Sequence, residues 1–484
     1  MNEQQVLDAV PKQLLIGGEW RDAAEGKTLG VEDPATGETL CEVADGSPDD
    51  AMDALAAADE ARAEWAAAPP NDRSEVLHKA FEALNDRADE LALIMTLEMG
   101  KPLAESRAEI VYAAEFFRWF SGEALRITGD YRVAGNAASR VLVMRQPIGP
   151  SLMITPWNFP MAMGTRKIGP AIAAGCTMVM KPAQQTPLSM LALAKILEEA
   201  GLPGGVVNVL TSSSSGSTMG PLIADARTRK LSFTGSTEVG RKLMEQAAEQ
   251  VLKVSMELGG NAPFLVFDDA DLDAAVEGAL LAKMRNIGEA CTSANRFHVA
   301  GGVASEFADR LAAKMGELKI GRGTEGDVKV GPLIDGDQRS KVAELVDDAV
   351  GKGAKALVGG KAVDGAGYFY EPTVLGDVSP DARLLKEEIF GPVAPVIGFD
   401  SEDDAVAAAN DTEYGLVAYV YTQDLKRALR VIEGLETGMV GLNQGMVSNA
   451  GAPFGGVKQS GVGREGGFEG VDEYLETKYV AVNI

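Results

Sequence analysis

The stretch Lys230-Leu231-Ser232-Phe233-Thr234-Gly235-Ser236-Thr237-Glu238-Val239-Gly240 starts as an apolar strand and enters a helix through Thr, Gly and Ser. Such a turn brings backbone N–H groups and a helix N-terminus to one spot, which suits a pyrophosphate. It is not the usual G-x-G-x-x-G fingerprint, and many tight turns share its composition without binding anything. Its surroundings carry more. Ser151-Leu152-Met153-Ile154-Thr155, Thr177-Met178-Val179-Met180 and Gly205 to Leu210 read as further strands. Helices are expected at Lys167 to Gly175 and Leu188 to Ala200. Alternating strand and helix predicts a parallel sheet with covering helices, and so an α/β fold. A second series of the same texture runs from about Phe264 to Val440.

Before this region, Leu14 to Asp45 reads as short strands punctuated by Gly and by Asp33-Pro34. Ser47-Pro48-Asp49-Asp50 is a helix start: a capping hydroxyl, Pro in the first turn, then acidic residues. Ala-rich helical patterns follow to about Ile127. Gly129 to Pro147 alternates apolar and polar residues around Gly135-Asn136, as a hairpin does.

At 484 residues the chain can bury a sizeable core and is expected to form two or three domains. Asp plus Glu is 71 against 45 for Lys plus Arg, a net charge of −26. An acidic surface of this kind repels nucleic acid and anionic membrane, so neither is an expected partner. The start Met1-Asn2-Glu3-Gln4-Gln5 lacks the pattern of a signal peptide, and the apolar region around Pro170 to Met180 is too short for a span. Cys41, Cys176 and Cys291 have no metal-ligand or disulfide spacing, so no metal is expected and a reducing cytoplasm is the simplest location. His78 lies in a helical pattern and His298 in a short apolar stretch. Both read as structural, which leaves a carboxylate as the expected general base.

Cys291 stands in Arg285-Asn286-Ile287-Gly288-Glu289-Ala290-Cys291-Thr292-Ser293. Taken alone it reads equally as a small buried residue or as a reactive thiol, and a useful thiolate needs help from its surroundings. The rest of the chain tips the balance. Pro156-Trp157-Asn158-Phe159-Pro160, Lys181-Pro182-Ala183, Phe233 to Gly240, Glu257-Leu258-Gly259-Gly260-Asn261, the Cys291 segment, Glu387-Glu388-Ile389-Phe390-Gly391-Pro392 and Pro453-Phe454-Gly455-Gly456-Val457-Lys458 occur in this order. With these seven segments the chain resembles the aldehyde dehydrogenase superfamily over essentially its whole length.

The resemblance implies roles. Cys291 is the expected nucleophile, forming a thiohemiacetal and then a thioester. Asn158 and the Cys291 N–H are the expected oxyanion donors, and losing one such donor typically costs about 3–4 kcal/mol. Glu257 is the expected base for hydrolysis, beside Gly259-Gly260 that leave its side chain room to swing. Lys181 and Glu388 are expected at the cofactor riboses, Gly235 and Ser236 at the pyrophosphate, Phe390 near the nicotinamide, and Thr155, Trp157 and Gln184 along the cofactor cleft. For Trp157 a core position is the alternative. Gln184 holds a place that is commonly a glutamate in members preferring NAD. A phosphomonoester carries roughly −1.5 to −2 charge, so losing that carboxylate while keeping Lys181 predicts that NADP is accepted or preferred alongside NAD. The serine tract from Ser212 departs from a glycine usual near the adenine. A cysteine found two residues after the nucleophile in some relatives is Ser293 here, which removes a local disulfide switch. Glu289, often Gln, either points inward and raises the thiol pKa or faces solvent.

Within the superfamily the resemblance is strongest to the succinate-semialdehyde branch, through Trp157 to Lys167 and the run Gly445 to Val480. It implies that Arg166, Arg285 and Ser448 hold the substrate's distal carboxylate, and that a neutral aldehyde would leave two cations unpaired. Glutarate semialdehyde or a broader aldehyde set is the alternative substrate; a non-catalytic relative is the alternative class. The implied architecture is a Rossmann-like cofactor domain (1–128 and 148–257), an α/β catalytic domain (258–460) and a small β oligomerisation element (129–147 and 470–484). A homodimer or homotetramer is expected.

Overall fold

The computed structural model describes residues 2–483. Five parallel strands form the centre of an eight-stranded sheet, in the spatial order Lys253–Glu257, Lys230–Thr234, Ser151–Ile154, Met178–Lys181, Val207–Val209. The chain starts in the middle at Ser151–Ile154, runs out through Val207–Val209, and jumps back to Lys230–Thr234 on the other side. The order therefore reverses between Ser151–Ile154 and Lys230–Thr234, and a crevice opens beyond the C-terminal ends of those two strands. Most of these residues are buried, as expected of a sheet covered on both faces.

Of the four helices that precede it, Pro48–Ala67 packs on the strands, while Pro70–Asp86, Ala88–Met99 and Leu103–Ala124 pack on the covering helices Ala162–Ala174 and Pro187–Glu199. The Ser47 start is as expected: its hydroxyl accepts from Asp50 N at 3.2 Å, and the Asp50 carboxylate accepts from Ser47 N at 2.9 Å. Pro69-Pro70 and a left-handed Gly100 (φ 90°) break the helical run.

The helix expected from Lys167 begins earlier, at Ala162, and ends at Gly175 as predicted. The extra turn is held from far away in sequence. Glu109, buried in the helix Leu103–Ala124, accepts from Met161 N (3.0 Å) and Ala162 N (3.1 Å). A carboxylate satisfies orphan N–H groups and complements the helix dipole there. Buried Glu98 does the same for the helix Pro187–Glu199, accepting from Leu188 N (2.7 Å) and Ser189 N (2.8 Å).

A second sheet has seven strands in the order Lys355–Val358, Thr373–Gly376, Val393–Phe399, Ala294–Ala300, Ala262–Val266, Val417–Tyr421, Met439–Leu442. Every neighbouring pair but the first is parallel. The expected hairpin is present as Asp130–Val133 and Ser139–Pro147, and Leu475–Asn483 adds a third antiparallel strand along the whole of Ser139–Pro147. Gly135-Asn136 lies in its turn, where Ala137 is left-handed (φ 56°). The fold is thus a Rossmann-like unit, a second α/β unit and a small β element. Among the described residues no helix is long and apolar enough to cross a membrane, and no group of His, Cys, Asp and Glu could hold a metal ion.

Candidate active site

Cys291 lies just before the strand Ala294–Ala300, and Gly259-Gly260 just before its parallel neighbour Ala262–Val266. The N-terminal ends of these strands face the crevice of the first sheet. A cleft of ≈ 250 Å³ results, lined by Trp157 and Asn158 from the loop after Ser151–Ile154, by Thr234, Gly235 and Ser236 from the opening stretch, and by Cys291, Glu388 and Phe390. Trp157 and Phe390 meet edge to face at 5.4 Å. Phe390 has φ 54°, a left-handed backbone that costs roughly 1–3 kcal/mol at a non-glycine.

The loop carrying Cys291 is more unusual. Asn286 (φ 52°), Ile287 (φ 61°) and Gly288 (φ 81°) are left-handed in succession. A β-branched residue there is a genuine outlier, and it persists because the surroundings fix it. Asn286 Nδ2 donates to the carbonyls of Asn158 and Glu289, both at 2.9 Å. Asn158 Nδ2 donates to the same Glu289 carbonyl at 2.9 Å. Lys101 Nζ donates to Asn158 O at 2.7 Å and pairs with Glu109 at 2.5 Å in full burial.

Electrostatics in the cleft disfavour charge. Burial pushes the Cys291 thiol up to about 12, with Arg166 opposing and the Glu388 and Glu257 carboxylates adding to the rise. Burial, reinforced by Glu465, also holds Glu257 well above the usual carboxylate range, and one of its buried oxygens has no partner. Glu388 is pushed up to about 7 by burial, although it accepts from Gly260 N at 3.1 Å. A positive charge entering this cleft would draw all three down.

A second cavity, ≈ 590 Å³, lies on the other side of Phe159. Arg285, Ser448, Tyr112 and Phe159 line it. Arg285 Nη1 donates to Ser448 Oγ at 2.7 Å, and its guanidinium lies 4.9 Å from the Phe159 ring and 5.7 Å from the Tyr112 ring. Among the described residues no carboxylate pairs with it. A half-buried guanidinium without a carboxylate partner, beside two hydroxyls, has donors to offer an anion, although Glu105, Glu109 and Glu277 also line the cavity. Neighbouring residues line the two cavities, Asn158 the first and Phe159 the second.

The sequence profile of the aldehyde dehydrogenase family matches residues 20–480. The chain belongs to the aldehyde dehydrogenase family. A succinate-semialdehyde dehydrogenase of Paenarthrobacter nicotinovorans is 56% identical over 92% of this chain and 98% of that protein. A glutarate-semialdehyde dehydrogenase of Pseudomonas putida is 52% identical over 98% of each chain. The crystal structure of an E. coli NADP-dependent enzyme superposes over all of both chains with TM-score 0.98 at 51% identity.

This aldehyde dehydrogenase brings Cys291, Asn158, Trp157, Gly235, Ser236, Glu388 and Phe390 into one cleft, and Arg285 with Ser448 into the other. The remaining expected residues lie elsewhere. Thr155 is buried with its hydroxyl on Met180 Sδ, Lys181 Nζ donates to Pro182 O, and Gln184 lines a separate hollow with Ser213 and Asp335. Gly235 N is not free for a phosphate, because it donates to Glu257 O at 3.1 Å. Glu257 is buried just behind the cleft. Glu289 points inward, accepting from Ile334 N at 3.1 Å, so the solvent-facing alternative is excluded. Arg166 departs most from expectation. It is buried and paired with Glu465 at 2.5 Å, so a neutral substrate would leave one cation unpaired, not two. Buried His298 is pushed down to about 3, first by burial and then by Arg296, in keeping with a structural role. Sequence reasoning missed Tyr112, Asn286, Lys101 and Glu109. Only Asn286, inside the quoted Cys291 segment, left a signal there.

The residues also fit a dinucleotide. Thr234 Oγ1, in the lining of the cleft, is buried with no partner, and the helix Thr237–Ala248 starts there with Ser236 as its cap. Lys181, lowered by burial to about 8, is a cation near neutral pH. It would therefore hold a phosphate less well as pH rises beyond 8.

Proposed function

We propose that this chain oxidises succinate semialdehyde to succinate with NADP or NAD. The observation that carries the reading is Arg285: among the described residues it has no carboxylate partner, it donates to Ser448, it lines the cavity beside Phe159, and its charge reaches the Cys291 sulfur. Tyr112 faces Ser448 and Arg166 from the other wall and adds a hydroxyl to the same cradle. Arg166, paired with Glu465, stands against Tyr112 from behind.

In this reading the Cys291 thiol gives up its proton to water and the resulting thiolate attacks the aldehyde carbon. A carbon–sulfur bond forms, the carbonyl π pair moves to oxygen, and Asn158 with the Cys291 N–H receives that charge. Lys181, Glu388, Trp157, Phe390 and the turn at Gly235-Ser236 would hold the dinucleotide, whose nicotinamide supplies the two-electron oxidation when bound. Glu257, kept basic by its burial, takes a proton from water as the water oxygen bonds to the thioester carbon and the carbon–sulfur bond breaks. The same reading treats 1–128 with 148–257 as the cofactor domain and 258–460 as the catalytic domain, supported by the two large sheets. It places a second copy against the small sheet, where Tyr131, Val133 and Tyr479 are exposed; a mass near twice or four times 50.8 kDa by light scattering is expected. Three free cysteines suit a reducing compartment.

Glutarate semialdehyde is the second reading, favoured by the volume of the Arg285 cavity and by the Pseudomonas putida relative. Steady-state kinetics with semialdehydes of increasing length and with butanal, each with NADP and NAD, tests both. Semialdehydes should exceed butanal in kcat/KM by about 10²-fold or more, the scale of an unpaired buried polar site. Equal values would overturn the proposal. A large preference for NAD would overturn the cofactor reading alone.

A further inference from the structure

Two segments distant in sequence must be kept in register for the oxyanion donors to work together: the loop holding Asn158, and the loop holding Glu289 to Cys291. Among the described residues, the only side chain that bonds the backbones of both is Asn286. Its amide has two hydrogens, one donated to Asn158 O and one to Glu289 O, each at 2.9 Å. The orientation is set by these partners, since the reversed amide would aim an oxygen at two carbonyls. Glu289 O takes a second bond from Asn158 Nδ2 at 2.9 Å, which closes the ring. One Asn158 N–H is thereby committed and the other remains for the cleft.

The backbone of Asn286 is fixed independently. Its N–H donates to half-buried Glu105 at 2.5 Å, and its carbonyl accepts from Glu289 N at 2.8 Å. The left-handed φ of 52° is one that asparagine tolerates better than most residues. Complete burial removes water as a substitute partner for either carbonyl.

We propose that Asn286 is a positioning residue for the oxyanion: its side chain sets the spacing between the Asn158 amide and the Cys291 backbone N–H. It touches neither substrate nor cofactor. The inference rests on the roles given above to Cys291 and Asn158. Preorganised donors lose much of their effect when displaced by about 1 Å, on the order of 10²-fold in rate.

The test is a double-mutant cycle on the full enzyme. Asn286→Gly keeps the left-handed backbone and deletes the amide. It is expected to lower kcat by about 10- to 100-fold, with KM for succinate semialdehyde and the NADP dissociation constant from fluorescence titration within about twofold of wild type. In an Asn158→Ala background the same change should cost under about threefold, because the donor it positions is gone. If Asn286→Gly does not accumulate folded, Asn286→Ser, which keeps one donor, carries the same cycle with a smaller first loss. The proposal is overturned if kcat is unchanged, if KM and cofactor binding worsen in step with kcat, or if the loss in the Asn158→Ala background equals that in wild type. Should Asn158→Ala alone leave kcat intact, the oxyanion reading itself fails, an outcome distinct from failure of the clamp.

Discussion

Cys291→Ala is expected to lower turnover by about 10⁴-fold or more while leaving thermal stability nearly unchanged, since only one sulfur atom lining the cleft is removed. The thiol's titration gives a sharper test. With its pKa pushed up to about 12, it is ionised to about one part in 10⁴ at pH 8. Alkylation of the cofactor-free enzyme by iodoacetamide at Cys291, followed by mass spectrometry, should therefore be slow. It should also climb about tenfold per pH unit between 8 and 10. The causes fix the direction of second changes. Burial dominates, Arg166 opposes it, and Glu388 adds to it. Glu388→Gln removes a negative charge near the sulfur, so alkylation at fixed pH should speed up. A rate that levels off below pH 9, or a Glu388→Gln variant that reacts more slowly, would show that the cleft does not suppress the thiolate. Trapping with substrate should place the acyl group on Cys291 and on no other cysteine.

Local physics made part of this molecule legible in sequence. The strand Lys230–Thr234, its turn and the helix cap at Ser236 lie within a dozen residues, and all three are where composition puts them. The same is true of the Ser47 cap and of the hairpin strands. What stayed hidden is carried by partners far apart in the chain. The helix at Ala162 starts early because of Glu109, 53 residues away from Ala162. Glu289 turns inward because Ile334, 45 residues on, offers an N–H in the core. Arg166 reads like Arg285 in sequence, yet Glu465, about 300 residues later, neutralises it. Tyr112 sits half-buried on the helix Leu103–Ala124, and its meaning depends on Ser448 arriving opposite. Motifs located the chemistry; the long-range pairs that tune it have no local pattern.

The difference between the two arginines gives the second large effect. Arg285→Met should lower kcat/KM for succinate semialdehyde by about 10²-fold or more, mainly through KM: two charge-assisted bonds of about 1.5–3 kcal/mol each are lost. For butanal the change should stay within about threefold, because no anion is there to be held and Met keeps the apolar bulk over Phe159. Tyr112→Phe removes one neutral hydroxyl from the same cradle and should cost about fivefold on the semialdehyde only, near 1 kcal/mol. Arg166→Met should behave differently. It strips Glu465 of one of its two cations and leaves the buried carboxylate with Lys167 alone. Breaking a buried pair in this way costs about 3–5 kcal/mol of stability, so activity should fall on both substrates, with a lower midpoint in chemical denaturation. If Arg285→Met instead loses equally on butanal, the guanidinium supports the fold and does not receive the anion. If Arg166→Met is as stable as wild type and selectively raises KM for the semialdehyde, Arg166 must exchange Glu465 for the substrate carboxylate, and the anion site has two cations after all.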